Sequence, residues 1–441
     1  MPHRPRRSWA TWTTSVDPAA GTPGRRQSPG PRTNYLIVGG VGPPGIRLAR
    51  ADYGGFGAEY QSQVYLRGER SPLPFAYEEL EAAARQKLPG TAFDYVAGGA
   101  GGERTARANL RAFDRWEILP RVLTDVDRRS LAVELLGRVL PAPVLLAPIG
   151  VLSIVHPEGE LAAARAAAAV GVPFVLSCAS SHPIEEVARE MGDGPRWFQL
   201  YWSRDRELNA SLVARAERSG HAAIVVTLDT KLLGWRERDL ERGYLPFLRG
   251  EGVANYLSDP VFRSRLGRPP EEDPAGAAAQ FLGLALDPTL TWPDLGFLRE
   301  RTRLPIVLKG VLRAEDAARA VDVGASAIVV SNHGGRQVDG SIPALAALPG
   351  VVRAAGGRVP VLFDSGLRRG ADAVKALALG ARAVLLGRPY AWGLALGGEN
   401  GVRTVVERFL AEIDLTLALA GIADLASCDA TLLRSVPDAI G

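Results

Sequence analysis

The sequence predicts an α/β protein, a closed (β/α)8 TIM barrel with an N-terminal helical segment and a long lid-like insertion after strand 4. Three observations carry this. Eight short β-branched, apolar runs alternate with Ala-rich stretches. The runs are apolar at consecutive positions, as strands buried on both faces must be. Polar residues gather where the runs end, on the face where barrel chemistry is built. An open doubly wound sheet would more often show five or six strands and a glycine fingerprint in its first turn.

The runs are Val144 to Pro148, Pro173 to Cys178, Trp197 to Tyr201, Ala222 to Asp229, Pro305 to Lys309, Ala327 to Asn332, Pro360 to Asp364 and Ala383 to Gly387. Between them, Gly159 to Ala169, Glu185 to Glu190 and Ala314 to Val323 read as helices, each closing on Gly or Gly-Ala. The connection over 230–304 far exceeds an ordinary strand-to-helix loop and contains Pro269-Pro270-Glu271-Glu272-Asp273-Pro274, so it reads as a lid. Ahead of the barrel (140–441) lie a basic tail (1–50) and a helical segment (51–139). In that segment helices are expected over Tyr77 to Gln86, stopped by Pro89-Gly90, and over Thr91 to Val96, closing the barrel's bottom or flanking its mouth.

Of 441 residues, 46% are hydrophobic and 23% charged, as in an ordinary globular enzyme. The net charge is +4, yet the first fifty residues hold eight arginines against Asp17, leaving −3 on the rest. A body without a basic face is not a nucleic-acid binder. The tail's Pro and Arg content argues disorder. Its Arg6-Arg7 pair is followed by Ser8 to Thr14, which lacks the apolar stretch of an export signal. Gly40-Val41-Gly42-Pro43-Pro44-Gly45 imitates a dinucleotide fingerprint, but Pro43 and Pro44 lack the N–H groups a pyrophosphate needs. No run of eighteen apolar residues suggests a membrane span. Cys178 and Cys428 have no metal-ligand spacing, so no metal site is expected and a reducing cytoplasm fits.

Ser331-Asn332-His333-Gly334-Gly335-Arg336-Gln337 leaves the sixth run with a proton acceptor and a carboxylate clamp together. His333 can titrate near neutrality, and Arg336 offers a planar fork of donors. The other histidines read differently: His3, His182 and His221 as surface residues, His156 as part of a helix start. Asp364-Ser365-Gly366-Leu367-Arg368-Arg369-Gly370 and Gly387-Arg388-Pro389 end the seventh and eighth runs, where barrels commonly hold phosphate. Lys309 ends an apolar run, where a barrel-mouth lysine could form a Schiff base, pair with an acid or stabilise a cofactor anion; a bound phosphate favours the last.

From about residue 74 onward the chain resembles the FMN-dependent 2-hydroxy acid oxidising enzymes. The run Ser331 to Gln337 is similar to that family's signature, and Phe93-Asp94-Tyr95, Gln199-Leu200-Tyr201, Thr227-Leu228-Asp229-Thr230 and Leu308-Lys309-Gly310 match in order. Within the family the lactate 2-monooxygenase group is most similar, through Ala147-Pro148-Ile149-Gly150-Val151, Gly234-Trp235-Arg236, Phe363-Asp364-Ser365-Gly366 and Gly387 to Gly393.

The resemblance implies an FMN enzyme acting on a small 2-hydroxy acid and O2, in a homo-oligomer of four or eight chains. It implies that Arg236 and Arg336 grip the substrate carboxylate while Tyr95 and Tyr201 bond its carboxylate and hydroxyl. His333 takes a proton, Asp229 supports the imidazolium, and Lys309 stabilises reduced flavin. Ser177, Gln199 and Thr227 hold the ring and Ser331 the ribityl chain. Asp364, Ser365, Gly366, Leu367 and Arg368 with Gly387 and Arg388 hold the phosphate end, and Pro148, Ile149 and Gly150 lie against the flavin. Trp202, Trp235 and Trp392 read as packing. Ala179 stands where glycolate-specific members carry a bulky aromatic, which favours L-lactate or a somewhat longer acid. Slow oxo acid release behind the lid would convert lactate and O2 to acetate, CO2 and water. The alternatives are an oxidase releasing oxo acid and hydrogen peroxide, and a dehydrogenase using another acceptor.

Overall fold

The computed structural model describes residues 50–436. The readings of the tail, its arginine pair and its glycine run lie outside the described residues, apart from Arg50. Eight parallel strands close into one barrel: β1 (Val144–Leu146), β2 (Phe174–Ser177), β3 (Arg196–Tyr201), β4 (Ile224–Thr227), β5 (Ile306–Val311), β6 (Ala327–Val330), β7 (Val361–Phe363) and β8 (Ala383–Leu386). Each falls within or across one of the eight apolar runs. Alternate residues of the strands, among them Leu145, Val175, Trp197, Val225, Val307, Val329 and Leu362, fill the interior, while their neighbours pack outward under the helices. The register Ser177↔Gln199, Tyr201↔Thr227 and Thr227↔Lys309 gathers the polar strand ends toward one rim.

The segment before the barrel is less purely helical than expected. Helices α1 (Phe56–Tyr65), α2 (Tyr77–Lys87), α3 (Gly90–Ala97) and α4 (Arg104–Asp114) are followed by an antiparallel hairpin, Val133–Leu135 with Arg138–Leu140. Val133, Leu135 and Leu140 pack against the interior residues of the barrel, so the hairpin plugs the end opposite the site. Its strands are too short to show an alternation in sequence. A further strand, Trp116–Ile118, pairs with Leu433–Ser435. The division of labour is thus hairpin below and α3 above, since Tyr95 and Val96 line the mouth.

The insertion folds into short helical pieces, including Glu237–Glu241, Ala254–Leu257, Pro260–Ser264 and Pro274–Leu284. Phe247, Tyr256 and Phe281 form an aromatic cluster, Tyr256 meeting Phe281 edge-to-face with ring centroids 4.7 Å apart. These rings join a segment rich in Pro and charge to the hydrophobic core that surrounds the barrel. Its first helix is tied to α3, because Asp94 pairs with Arg238 at 3.3 Å and with Arg242 at 2.5 Å.

Among the described residues, no helix is long and apolar enough to cross a membrane, and no group of three or more His, Cys, Asp or Glu is placed to hold a metal ion.

Candidate active site

A cavity of about 670 Å³ opens at the carboxyl ends of the strands, a size ordinary for a cofactor site. His333 leaves β6 in the left-handed region, φ +60°, a conformation costly for a side chain of this size and held here by surrounding bonds. Its backbone N–H donates to Ser331 Oγ at 3.0 Å, and Nδ1 lies 2.8 Å from Asp229 Oδ1. That bond fixes the ring and leaves Nε2 toward the cavity side, 3.4 Å from the Tyr201 hydroxyl. Burial lowers the imidazole from its ordinary value, with Asp229 opposing and Lys309 and Arg236 assisting, so it is a neutral acceptor at neutral pH. Burial works to raise Asp229, yet the facing His333 and Lys309 bring it below the usual carboxylate range.

Lys309 is buried and bonds Asp364 Oδ2 and Ser331 Oγ, each at 2.9 Å. Burial opposes its charge, but Asp364 and Asp229 keep it above its ordinary value. A fixed cation therefore sits beside the base. Burial also raises the Tyr201 phenol, which stays protonated and able to donate.

Two guanidinium groups reach the cavity, Arg236 from the start of the insertion and Arg336 from the loop after β6. Arg336 donates from Nη1 to Tyr95 O at 2.5 Å and Gly98 O at 2.8 Å, leaving its other nitrogens for a ligand. Burial and the neighbouring Arg236 push it down to about 9, so it remains charged at neutral pH. Arg236 bonds Arg336 O at 3.3 Å and Gln337 Oε1 at 3.2 Å. Two like charges this close call for an anion between them. Tyr95, Tyr201, Arg236, His333 and Arg336 all line the cavity, with Asp229 behind the imidazole.

At the opposite side the ends of β7 and β8 form a cradle. Ser365 and Gly366 both have positive φ, +84° and +98°, which folds the chain back so that Asp364, Leu367 and Arg368 also reach the cavity. Gly387 and Arg388 complete it, and Pro148, Ile149 and Gly150 form the wall beside them. Arg388 is held by the carbonyls of Val96, Gly98 and Gly334. Arg368 lies over the Tyr77 ring at 4.6 Å, and its Nε is buried without a hydrogen-bond partner. Gln199 Nε2 is likewise buried and unpaired, while its Oε1 takes the Ser177 hydroxyl at 2.8 Å. An orphan donor on the cradle, Arg368 Nε, and a second behind the cavity wall, Gln199 Nε2, fit a ligand with an anionic tail and a polar ring edge, as FMN has. Ser177, Gln199, Thr227 and Ser331 stand behind the cavity wall and are almost wholly buried. Ser331 Oγ takes bonds from Lys309 Nζ at 2.9 Å and the His333 N–H at 3.0 Å, and so braces the loop that carries His333.

Several site-building residues escaped the sequence reading. Gln337 Nε2 donates to Asp229 O at 3.0 Å and Leu232 O at 2.9 Å, bridging the base and the insertion, although it ends the very motif that was singled out. Asn109 exchanges two 2.8 Å amide bonds with Asn332, tying α4 to the base loop. α4 turns Thr105, Asn109, Ala112 and Phe113 inward and sets Arg104, Arg107 and Arg111 on the opposite face, a pattern that a reading for apolar runs passes over.

Three expectations need correction. His221 is buried, not at the surface, with Nδ1 on Ala216 O at 3.0 Å and its ring against Phe198. His182 is half-buried, 3.5 Å from Glu186. Trp202 and Trp392 are packed, but Trp235 is 69% exposed. Arg236 is extended and turns inward, so its predecessor in the chain turns out.

An acid clamped between the arginines would present its α-carbon between the base and the space a flavin ring would take. That arrangement defines a flavin-dependent oxidoreductase of 2-hydroxy acids. The chain belongs to the FMN-dependent dehydrogenase family, whose model matches residues 84–435. FMN is its cofactor, and FMN-dependent oxidation of a 2-hydroxy acid is its reaction. It is 45% identical over 352 residues to an L-lactate oxidase of Lysinibacillus sphaericus, covering 80% of this chain and 90% of the relative. An FMN-dependent alpha-hydroxy acid dehydrogenase of Penicillium citrinum is 44% identical over 384 residues, covering 86% and 96%. A crystal structure of mandelate oxidase superposes with a TM-score of 0.73 at 40% identity, covering 82% of this chain and 98% of that one.

Proposed function

We propose that this protein converts L-lactate and O2 to acetate, CO2 and water. The observation that carries the reading is the wall of the cavity. Ala179 leaves room for a substrate methyl, and the folded insertion, through Leu232, Phe247, Phe281 and Leu286, covers the mouth. In this reading Arg236 and Arg336 hold the carboxylate, and Tyr95 and Tyr201 donate to the carboxylate and hydroxyl. His333 takes a proton at Nε2, and Asp229 holds the resulting imidazolium. FMN, when bound, supplies the two-electron acceptor for the α-carbon. Pro148, Ile149 and Gly150 would flank its ring and Gln199, Thr227 and Ser177 its polar edge. The turn from Asp364 to Arg368, with Gly387 and Arg388, would hold its phosphate. Lys309 stabilises negative charge developing beside it. Dioxygen takes the electrons and becomes hydrogen peroxide. Pyruvate retained behind the insertion then reacts with that peroxide, losing CO2 to give acetate and water.

A second reading, an oxidase that releases oxo acid and peroxide, is favoured by the apolar mouth and by relatives named L-lactate oxidase and mandelate oxidase. Product analysis under air with catalase present separates the two. Acetate as the main product is expected, and stoichiometric pyruvate would overturn the first reading. A cytoplasmic homo-oligomer of four or eight chains belongs to the same proposal. Its free, buried thiols Cys178 and Cys428 suit a reducing compartment, and light scattering showing a monomer would end the oligomer inference.

A further inference from the structure

The insertion meets the barrel through a hydrogen-bonded ring that none of the chemistry above uses. Gly252 N–H donates to Ser181 Oγ at 3.1 Å, the Ser181 and Ser153 hydroxyls lie 2.7 Å apart, and Ser153 Oγ donates to Glu251 Oε2. Its direction is forced. An amide can only donate and a carboxylate can only accept, so Ser153 spends its proton on Glu251 and must receive one from Ser181. The ring joins the loop after β1, the loop after β2 and two consecutive residues of the insertion.

What it clamps is the wall of the active-site cavity. Gly252 has φ +73°, and a Cβ there would lie 2.7 Å from Val151 Cγ2 and 3.0 Å from Ala179 O. Val151 N–H in turn donates to Ala179 O at 2.8 Å. Gly150, Val151, Ala179 and Phe247 all line the cavity. The inner edge of the same segment is anchored by Asn255, fully buried, whose amide bonds Cys178 O at 3.1 Å and Ile184 N at 2.8 Å. Ser153, Ser181 and Glu251 are only half-buried, so water can compete for their bonds. A segment anchored inside and fastened at a wetted edge opens at that edge first.

We propose that Ser153, Ser181 and Glu251 form a latch that sets how long the oxo acid stays in the cavity, and so which products leave. They are positioning residues, and the proposal rests on the reading above that product retention decides between acetate and pyruvate. Ser153→Ala removes the middle of the ring, and Glu251→Ala its acceptor. The test follows dissociation of the oxo acid from the anaerobically reduced holoenzyme by stopped flow. The probe is pyruvate, or the oxo acid of whichever 2-hydroxy acid bleaches the flavin fastest. Both variants should release it faster by on the order of tenfold, as loss of one charge-assisted bond implies. Bleaching by the hydroxy acid should stay within about twofold, which a merely disordered site would not allow. Unchanged release in Glu251→Ala overturns the latch, even where Ser153→Ala is colourless. If the unmutated protein makes only pyruvate and peroxide, the product reading fails while the release rates still decide the latch.

Discussion

In the proposed reaction His333 serves as the base because of what surrounds it: a carboxylate on one nitrogen, a cavity at the other and burial that keeps it neutral. His333→Gln should therefore retain a yellow flavin and reduce it at least about 10² to 10⁴ times more slowly with L-lactate. Near wild-type bleaching in an anaerobic cuvette would remove His333 from the base role. Gly150 tests the retention reading. A Cβ there would meet Ala179 Cβ and Ala179 O, each at 3.0 Å, with Ser177 Oγ at 3.5 Å. The added methyl thus presses on the end of β2, and the crowding reaches the substrate through Ala179. Gly150→Ala should raise the ratio of peroxide to acetate severalfold, read by product assay, while an unchanged ratio would count against retention at this wall. The histidine was legible in sequence because a titratable group, two glycines and an arginine stood together at a strand end. Gln337, which ends the same motif and holds the Asp229 carbonyl, was not given a role, because nothing local says which carbonyls a glutamine will find.

At the scale of elements, α4 braces the base loop. Thr105 Oγ1 donates to Val338 O at 2.9 Å, Thr105 N–H to Asp339 Oδ1 at 3.0 Å, and Asn109 pairs with Asn332. Gly335 permits this approach, since with φ +78° a Cβ would lie 2.5 Å from Ala106 N. Asn109→Ala leaves the buried Asn332 amide and the Ala344 N–H short of a partner. The expected cost is about 1–3 kcal/mol of stability, measured by urea denaturation, with slower flavin reduction and unchanged flavin content. A variant as stable as the parent would mean that α4 is not a brace. The eight strands were legible because burial on both faces demands continuous apolar residues. This helix was not, because half of its inward face, Thr105 and Asn109, is polar, and the partners of those two residues come from more than two hundred positions away.

For the molecule as a whole, buried titratable groups set the acid limit of stability. Burial lowers His221 to about 4, against an ordinary value of 6.5, and its Nε2 is buried without a partner. The unfolded chain then binds the proton more readily than the folded one. Stability from this residue is complete above pH 6.5 and is lost as pH falls toward 4, on the order of 3 kcal/mol. His221→Phe keeps a ring against Phe198, and Ala216 O still receives the backbone N–H of residue 221 at 3.1 Å. The urea midpoint should fall less steeply between pH 7 and about 4.5 in this variant than in the parent. Parallel curves would show that His221 does not titrate on unfolding.

The order of eight strands, the length of the insertion and the chemistry at the strand ends were determined by the sequence alone. Each is a local matter: apolar continuity marks a doubly buried strand, and a titratable or glycine-rich group directly after one marks the mouth of a barrel. The hairpin plugging the bottom, the amide pair between Asn109 and Asn332, the inward turn of Arg236 beside an outward Trp235, and the ring joining Ser153, Ser181 and Glu251 were decided only by the tertiary structure. These depend on which distant segments closure of the barrel brings into contact, and a hydroxyl or an amide carries no sign in sequence of the partner it will meet.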